Sequence, residues 1–172
     1  ACARAFDEAA SRLPDFAPTS LLDAGAGPGG ASWAALETWP ALGAATLLDS
    51  NRAFLEMAQT LAAEAPAPLR DARRLKGDLT APDAWPRAEL VVASYALAEI
   101  AAPRQAAMVQ ALWAACTGLL VLVEPGTPDG WARILGARAL LIAEGAQVVA
   151  PCPHAGPCPL AEPDWCHFVQ RL

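Results

Sequence analysis

Along the chain, short continuous apolar runs alternate with longer stretches in which apolar residues return every third or fourth position. The first pattern marks strands covered on both faces, the second helices that bury one side. "SLLDAG" (20–25), after Pro18, reads as a first strand, and "GGASWAALETW" (29–39) as a helix stopped before Pro40. "AATLLD" (44–49) is a second strand, followed by "NRAFLEMAQTLAAEA" (51–65) as a helix capped by Ser50 or Asp49 and ended by Pro66. "RRLKGD" (73–78) gives a third strand and "ELVVASY" (89–95) a fourth. "PRQAAMVQALWAAC" (103–116) is helical and closes at Gly118, "LLVLVEPG" (119–126) is a fifth strand, and "DGWARILGARALLIAEG" (129–145) is helical up to Gly145. "QVVA" (147–150) starts a sixth strand, and "HFVQRL" (167–172) supplies a seventh. The alternation predicts an α/β domain with a mostly parallel, seven-stranded, Rossmann-like sheet carrying helices on both faces.

Length and charge narrow what such a domain does. At 172 residues and 55% hydrophobic composition the chain has the apolar surface for one core. Its net charge is −6 and Lys76 is its one lysine, so it offers no broad cationic face to a phosphate backbone. The opening "ACARAFDEAASRL" has helical spacing but charges throughout, unlike a signal peptide or an organelle presequence. The run Leu119–Val123 is far too short to cross a bilayer, so a soluble protein in a reducing compartment, with no membrane partner, is expected. Five cysteines without a secretion signal argue against a disulfide framework, and Cys2 and Cys116, in Ala-rich helical patterns, read as buried or idle thiols.

The first strand leads into "LLDAGAGPGG". Gly25, Gly27 and Gly29 follow Asp23 in a D-x-G-x-G-x-G spacing, which lets the chain turn sharply, brings backbone N–H groups near a ligand and aims the next helix at the same place. Gly30 also completes G-x-G-x-x-G, so a nicotinamide dinucleotide has to be weighed. The acid decides against it: a carboxylate two residues before the first glycine suits an ammonium group and lies badly beside a pyrophosphate. The pattern resembles the first motif of S-adenosylmethionine-dependent methyltransferases. Asp49, with Ser50 beside it, closes the second strand where a doubly wound fold places an acid for ribose hydroxyls. Asp78 and Leu79, in "GDL" after the third strand, resemble the position that reads the adenine amino group. "SYALAEI" (94–100) lines the same crevice, with Ser94 and Tyr95 nearest the cofactor's reactive end. Glu99, Glu124 and Tyr95 are the conceivable proton acceptors, while the D/N-P-P-Y/F signature of many amino-group methyltransferases is missing.

The remaining thiols, Cys152, Cys158 and Cys166, lie close together among prolines that stiffen the segment and remove amide donors. Metal coordination would supply the missing organisation. Three thiolates fit zinc if His154 or His167 completes the set, or an iron–sulfur cluster if another cysteine joins them.

"EPGTPDGWARILGAR" (124–138) joined to "APCPHAGPCPLAEPDWCHFVQR" (150–171) closely resembles the methyltransferase-like small-ribosomal-subunit assembly family of mitochondria and bacteria; "LLDAGAGPGGASWAA" and "LVVASYALAEI" fit it too. The resemblance implies a class I methyltransferase fold with an S-adenosylmethionine site at Asp23, Gly25, Gly27, Gly29, Asp49 and Asp78 in a domain over 1–150. It further implies a metal or cluster loop over 151–172 in which Cys152, Cys158 and Cys166 are three of the four ligands of a 4Fe-4S cluster. The family's fourth cysteine and a basic segment are expected downstream of Leu172, which reads as the end of a fragment. Small-subunit ribosomal RNA is the implied partner, with a cytoplasmic setting in bacteria and the mitochondrial matrix for eukaryotic relatives. Two functions follow from it: methyl transfer to that RNA, or a non-catalytic assembly role in which cofactor and cluster stiffen a docking surface.

Overall fold

The computed structural model describes residues 1–80, 85–152, 154–160 and 163–167. Helix α1 (Cys2–Arg12) precedes strand β1 (Ser20–Ala24), helix α2 (Gly30–Thr38) and strand β2 (Ala44–Asp49). Helix α3 (Arg52–Leu61), a single turn α4 (Ala67–Arg70) and strand β3 (Arg73–Lys76) follow. The chain continues through β4 (Ala88–Ser94), α5 (Ala102–Ala115), β5 (Cys116–Val123) and α6 (Pro128–Ala143). All strand pairs are parallel, in the order β3-β2-β1-β4-β5. The order reverses beside β1, which pairs with β2 on one side and β4 on the other, and open α/β sheets bind ligands at the carboxyl ends of strands at such a point.

Alternation along the central strands divides the core in two. Leu21, Leu47, Leu90 and Val92 pack with Phe6 of α1, Ala31 and Ala35 of α2 and Leu55 of α3. Leu22, Leu48, Val91 and Ala93 face the other way, against Met108, Val109 and Leu112 of α5 and Ala137 of α6. β1 and β4 are buried from both sides, which is why their sequences run apolar without a polar face.

The sheet has five strands among the described residues, against the seven expected. "QVVA" does not form the sixth: it makes no ladder, Val149 packs against the α1 side of the core, and Pro151 behind it has no amide to offer. The seventh-strand reading lies, apart from His167, outside the described residues. Strand β5 begins at Cys116, so this thiol opens a strand where a helix was expected. Pro66 stands before α4, while α3 stops earlier, at Leu61. The cap of α3 is Asn51, not Ser50 or Asp49: the helix begins at Arg52, and the Asn51 Oδ1 accepts from the Ala53 amide.

Candidate functional site

β1, β2 and β4 end side by side, and the candidate residues gather at those ends. Gly25 carries φ of 75°, and a Cβ there would stand 2.9 Å from Ala96 Cβ and 3.3 Å from Leu79 Cδ1. Left-handed geometry and close approach together require glycine. At Gly27, φ is 53° and nothing lies within 4 Å of a built Cβ, so this part of the turn faces open space. The first amides of the turn are not aimed outward as the sequence suggested. Gly25 and Ala26 both donate to the Leu48 carbonyl, at 2.8 and 3.0 Å, and Gly27 donates to Asp49 Oδ2 at 2.8 Å.

Asp23 lies under this turn and is 1% exposed. Its Oδ2 accepts from the Ser32 hydroxyl at 2.6 Å and the Ser32 amide at 3.1 Å; its Oδ1 is buried without a partner. Burial pushes its pKa up to about 6, the Ser32 bonds opposing the shift and the Asp49 charge adding to it. Ser32 is a partner of Asp23 that the sequence reading missed: its signal was a serine three residues into a helix, too common to stand out.

Asp49 bridges two elements, with Oδ1 accepting from the Asn51 amide at 2.7 Å and Oδ2 from Gly27. Ser50 beside it is exposed. Asp78 is exposed after β3, where the Thr80 amide bonds its Oδ1 at 2.7 Å; that bond, with a smaller contribution from Arg104, holds its pKa below the usual carboxylate range. Leu79 is buried against the position of Gly25. Ser94 accepts a hydrogen bond from the Cys2 thiol at 3.2 Å, so Cys2 of α1 reaches the end of β4. Tyr95 follows with φ of 59°, its amide donating to the Val123 carbonyl at 2.7 Å and the residue 46% exposed. A bulky residue held there carries strain of about 1–3 kcal/mol. Of the other candidate proton acceptors, Glu99 is exposed. Glu124 is buried and ion-paired with Arg133 at 2.7 Å, one of its oxygens lacking a partner.

The cysteine segment folds back on the turn between β5 and α6. Arg138 of α6 donates to the carbonyls of His154 and Gly156, at 2.7 and 2.9 Å, and the Trp165 indole N–H donates to the Gly126 carbonyl at 3.1 Å. Cys152 and Cys158 are half-buried and Cys166 is exposed; all three are free thiols. Burial, with smaller contributions from Cys152 and Cys158, raises the Cys166 pKa. Among the described residues no group of three or more His, Cys, Asp or Glu side chains is drawn into a cage fit for a metal ion. Nor is any helix there long and apolar enough to cross a membrane.

Solved structures place the architecture. The glycopeptide N-methyltransferase MtfA matches with a TM-score of 0.57 and 23% identity over 71% of this chain and 53% of that one. The precorrin-6y C5,15-methyltransferase of Geobacter metallireducens GS-15 matches with a TM-score of 0.57 and 17% identity over 78% of this chain and 68% of that one. The parallel sheet, its reversal beside β1 and the glycine turn are those of the class I S-adenosylmethionine-dependent methyltransferase fold.

Within that class, the family model described as mitochondrial small ribosomal subunit Rsm22 matches residues 1–172, and the chain belongs to this family. The human mitochondrial ribosome assembly protein METTL17 is 32% identical over 99% of this chain and 40% of its own length. The Rsm22-cox11 tandem protein 2 of Schizosaccharomyces pombe, also mitochondrial, is 28% identical over 81% of this chain and 21% of its own. The chain thus spans well under half the length of either relative.

Proposed function

We propose that this chain binds S-adenosylmethionine at the carboxyl ends of β1, β2 and β3 and serves methyl transfer to RNA of the small ribosomal subunit. The observation that carries the reading is Asp23 Oδ1, a buried carboxylate oxygen without a partner beneath a glycine turn that is open at Gly27. An oxygen in that state is costly unless a donor reaches it, and an ammonium group is the donor that best offsets the cost. Asp49 would take the ribose hydroxyls, Asp78 the adenine amino group, and Ser94 and Tyr95 would flank the reactive end. The bound cofactor would supply an electrophilic methyl group. This chain's own part is to orient the cofactor and, through Leu79 and Ala96 packed around Gly25, to keep water from one side of the turn.

An assembly role without catalysis is the second reading, and Glu124 favours it: the most deeply buried candidate proton acceptor is tied to Arg133. The family resemblance also supports Cys152, Cys158 and Cys166 as three ligands of an iron–sulfur cluster, which would draw together three thiols that are free and close in sequence. Protein that carries the family's downstream segment and is purified without oxygen should contain iron and absorb broadly in the visible, and Cys158→Ser should bleach it. Stoichiometric zinc in a colourless protein would support three cysteines and a histidine instead.

Calorimetric titration tests the cofactor site. S-adenosylmethionine and its demethylated product should bind and NAD should not. Asp23→Asn should weaken binding about tenfold or more, the scale of a charged hydrogen bond. Affinity should fall as pH drops below about 6, where the buried carboxyl takes a proton. Labelled methyl transfer to RNA of immature small subunits, abolished by Asp23→Asn, separates the enzyme from the assembly factor; cofactor binding with no transfer leaves the second reading.

A further inference from the structure

Tyr95 is held by the fold in a backbone conformation that its own residue type disfavours. The left-handed φ of 59° at this residue is one that glycine or asparagine occupies readily and an aromatic residue rarely does. Two contacts fix the turn. The Tyr95 amide is tied to the Val123 carbonyl, and the next residue, Ala96, is buried against the position of Gly25. Tyr95 thus stands where β4 and β5 end, next in sequence to the residue packed on the glycine turn, and it is exposed while Ala96 and Leu97 are buried. The residue as a whole stays 46% exposed, so burial does not offset the strain. Strain of this kind gathers where a side chain has to be presented in one direction.

We propose that Tyr95 is a substrate-positioning residue whose ring stacks on an unpaired nucleobase of the RNA, at the end of the crevice where the methyl group would be delivered. The inference rests on the methyl-transfer reading and names the part of the RNA that the site grips. Charge points to a base over the phosphate backbone. With 18 acidic against 12 basic side chains, the chain gains little from phosphates, whereas stacking on an aromatic ring tolerates an acidic surface and any base sequence. RNA binding by this chain should accordingly show a shallow dependence on salt.

Tyr95 is the single tyrosine of the chain, so 3-fluorotyrosine labelling gives one fluorine resonance. Adding a single-stranded decamer of adenylate, with and without the demethylated cofactor at saturation, should shift that resonance upfield. Tyr95→Phe should retain the decamer affinity within about twofold, and Tyr95→Ala should lose about 5- to 150-fold, the range of one stacked base. Tyr95→Gly, which relaxes the backbone, should lose the same affinity while raising the thermal midpoint, which separates stacking from folding. A fixed resonance with bound decamer, full affinity in Tyr95→Ala, or a shift caused only by a tryptophan-bearing peptide overturns the proposal. Failure of the parent reading looks different: the demethylated cofactor does not bind the unaltered protein in calorimetry, whatever the decamer does.

Discussion

Asp23 is a buried acid beneath the glycine turn. Its pKa near 6 means that the folded protein holds this proton more tightly than the unfolded chain does. The sign is therefore opposite to that of a salt-bridged acid. The group costs about 3 kcal/mol above pH 6, and the cost fades as pH falls from 6 towards 4. Ser32 limits the penalty with its hydroxyl and amide. Ser32→Ala should lower stability by about 1–3 kcal/mol at pH 7.5 and by clearly less at pH 5, where the carboxyl is mostly protonated. Urea unfolding at both values measures this; an equal loss at each would mean that Ser32 acts by packing alone. Neither the depth of Asp23 nor its serine partner was visible in the sequence, since both depend on how α2 lies across β1.

Among the elements, α6 shows how one glycine decides a junction. Thr127 caps the helix by accepting from the Gly130 amide, and a Cβ on Gly130 would stand 2.0 Å from the Pro125 carbonyl oxygen. No rotamer relieves a clash with backbone, so Gly130→Ala has to move the turn that carries Gly126, the acceptor for Trp165. A loss of about 2–3 kcal/mol is expected in thermal unfolding. Gly136→Ala, in the same helix but with nothing within 4 Å, should instead stabilise by about 0.5–1 kcal/mol. If the two variants behave alike, the Pro125 contact is not what requires glycine. The elements themselves were legible where period and punctuation agreed: β1, β2, β4, α2 and α6 lie within a few residues of their apolar runs. The misses have a common cause. Val148 and Val149 look like strand residues, yet a strand exists only where a neighbour supplies ladder partners, and sequence period cannot report the neighbour.

At the scale of the whole molecule, the spacing of Asp23, Gly25, Gly27 and Gly29 and the acids after successive strands predicted that the candidate residues converge, and β1, β2 and β4 do end side by side. What the spacing could not convey is which hydrogen bonds those residues make across elements. Cys2 illustrates this: read as an idle thiol, it meets Ser94 across 92 positions of chain. Arg138 and Trp165 are a second case, two ordinary residues that strap the cysteine segment to the β5–α6 turn.

Asp49 grips both Gly27 and Asn51, and so acts as a clasp between the glycine turn and the head of α3. Each oxygen of this carboxylate uses one of its two lone pairs in the clasp, so a hydroxyl guest can add its own bond without breaking either. The glycine turn and the head of α3 are therefore already fastened to each other before anything arrives, and little ordering is left for the newcomer to impose.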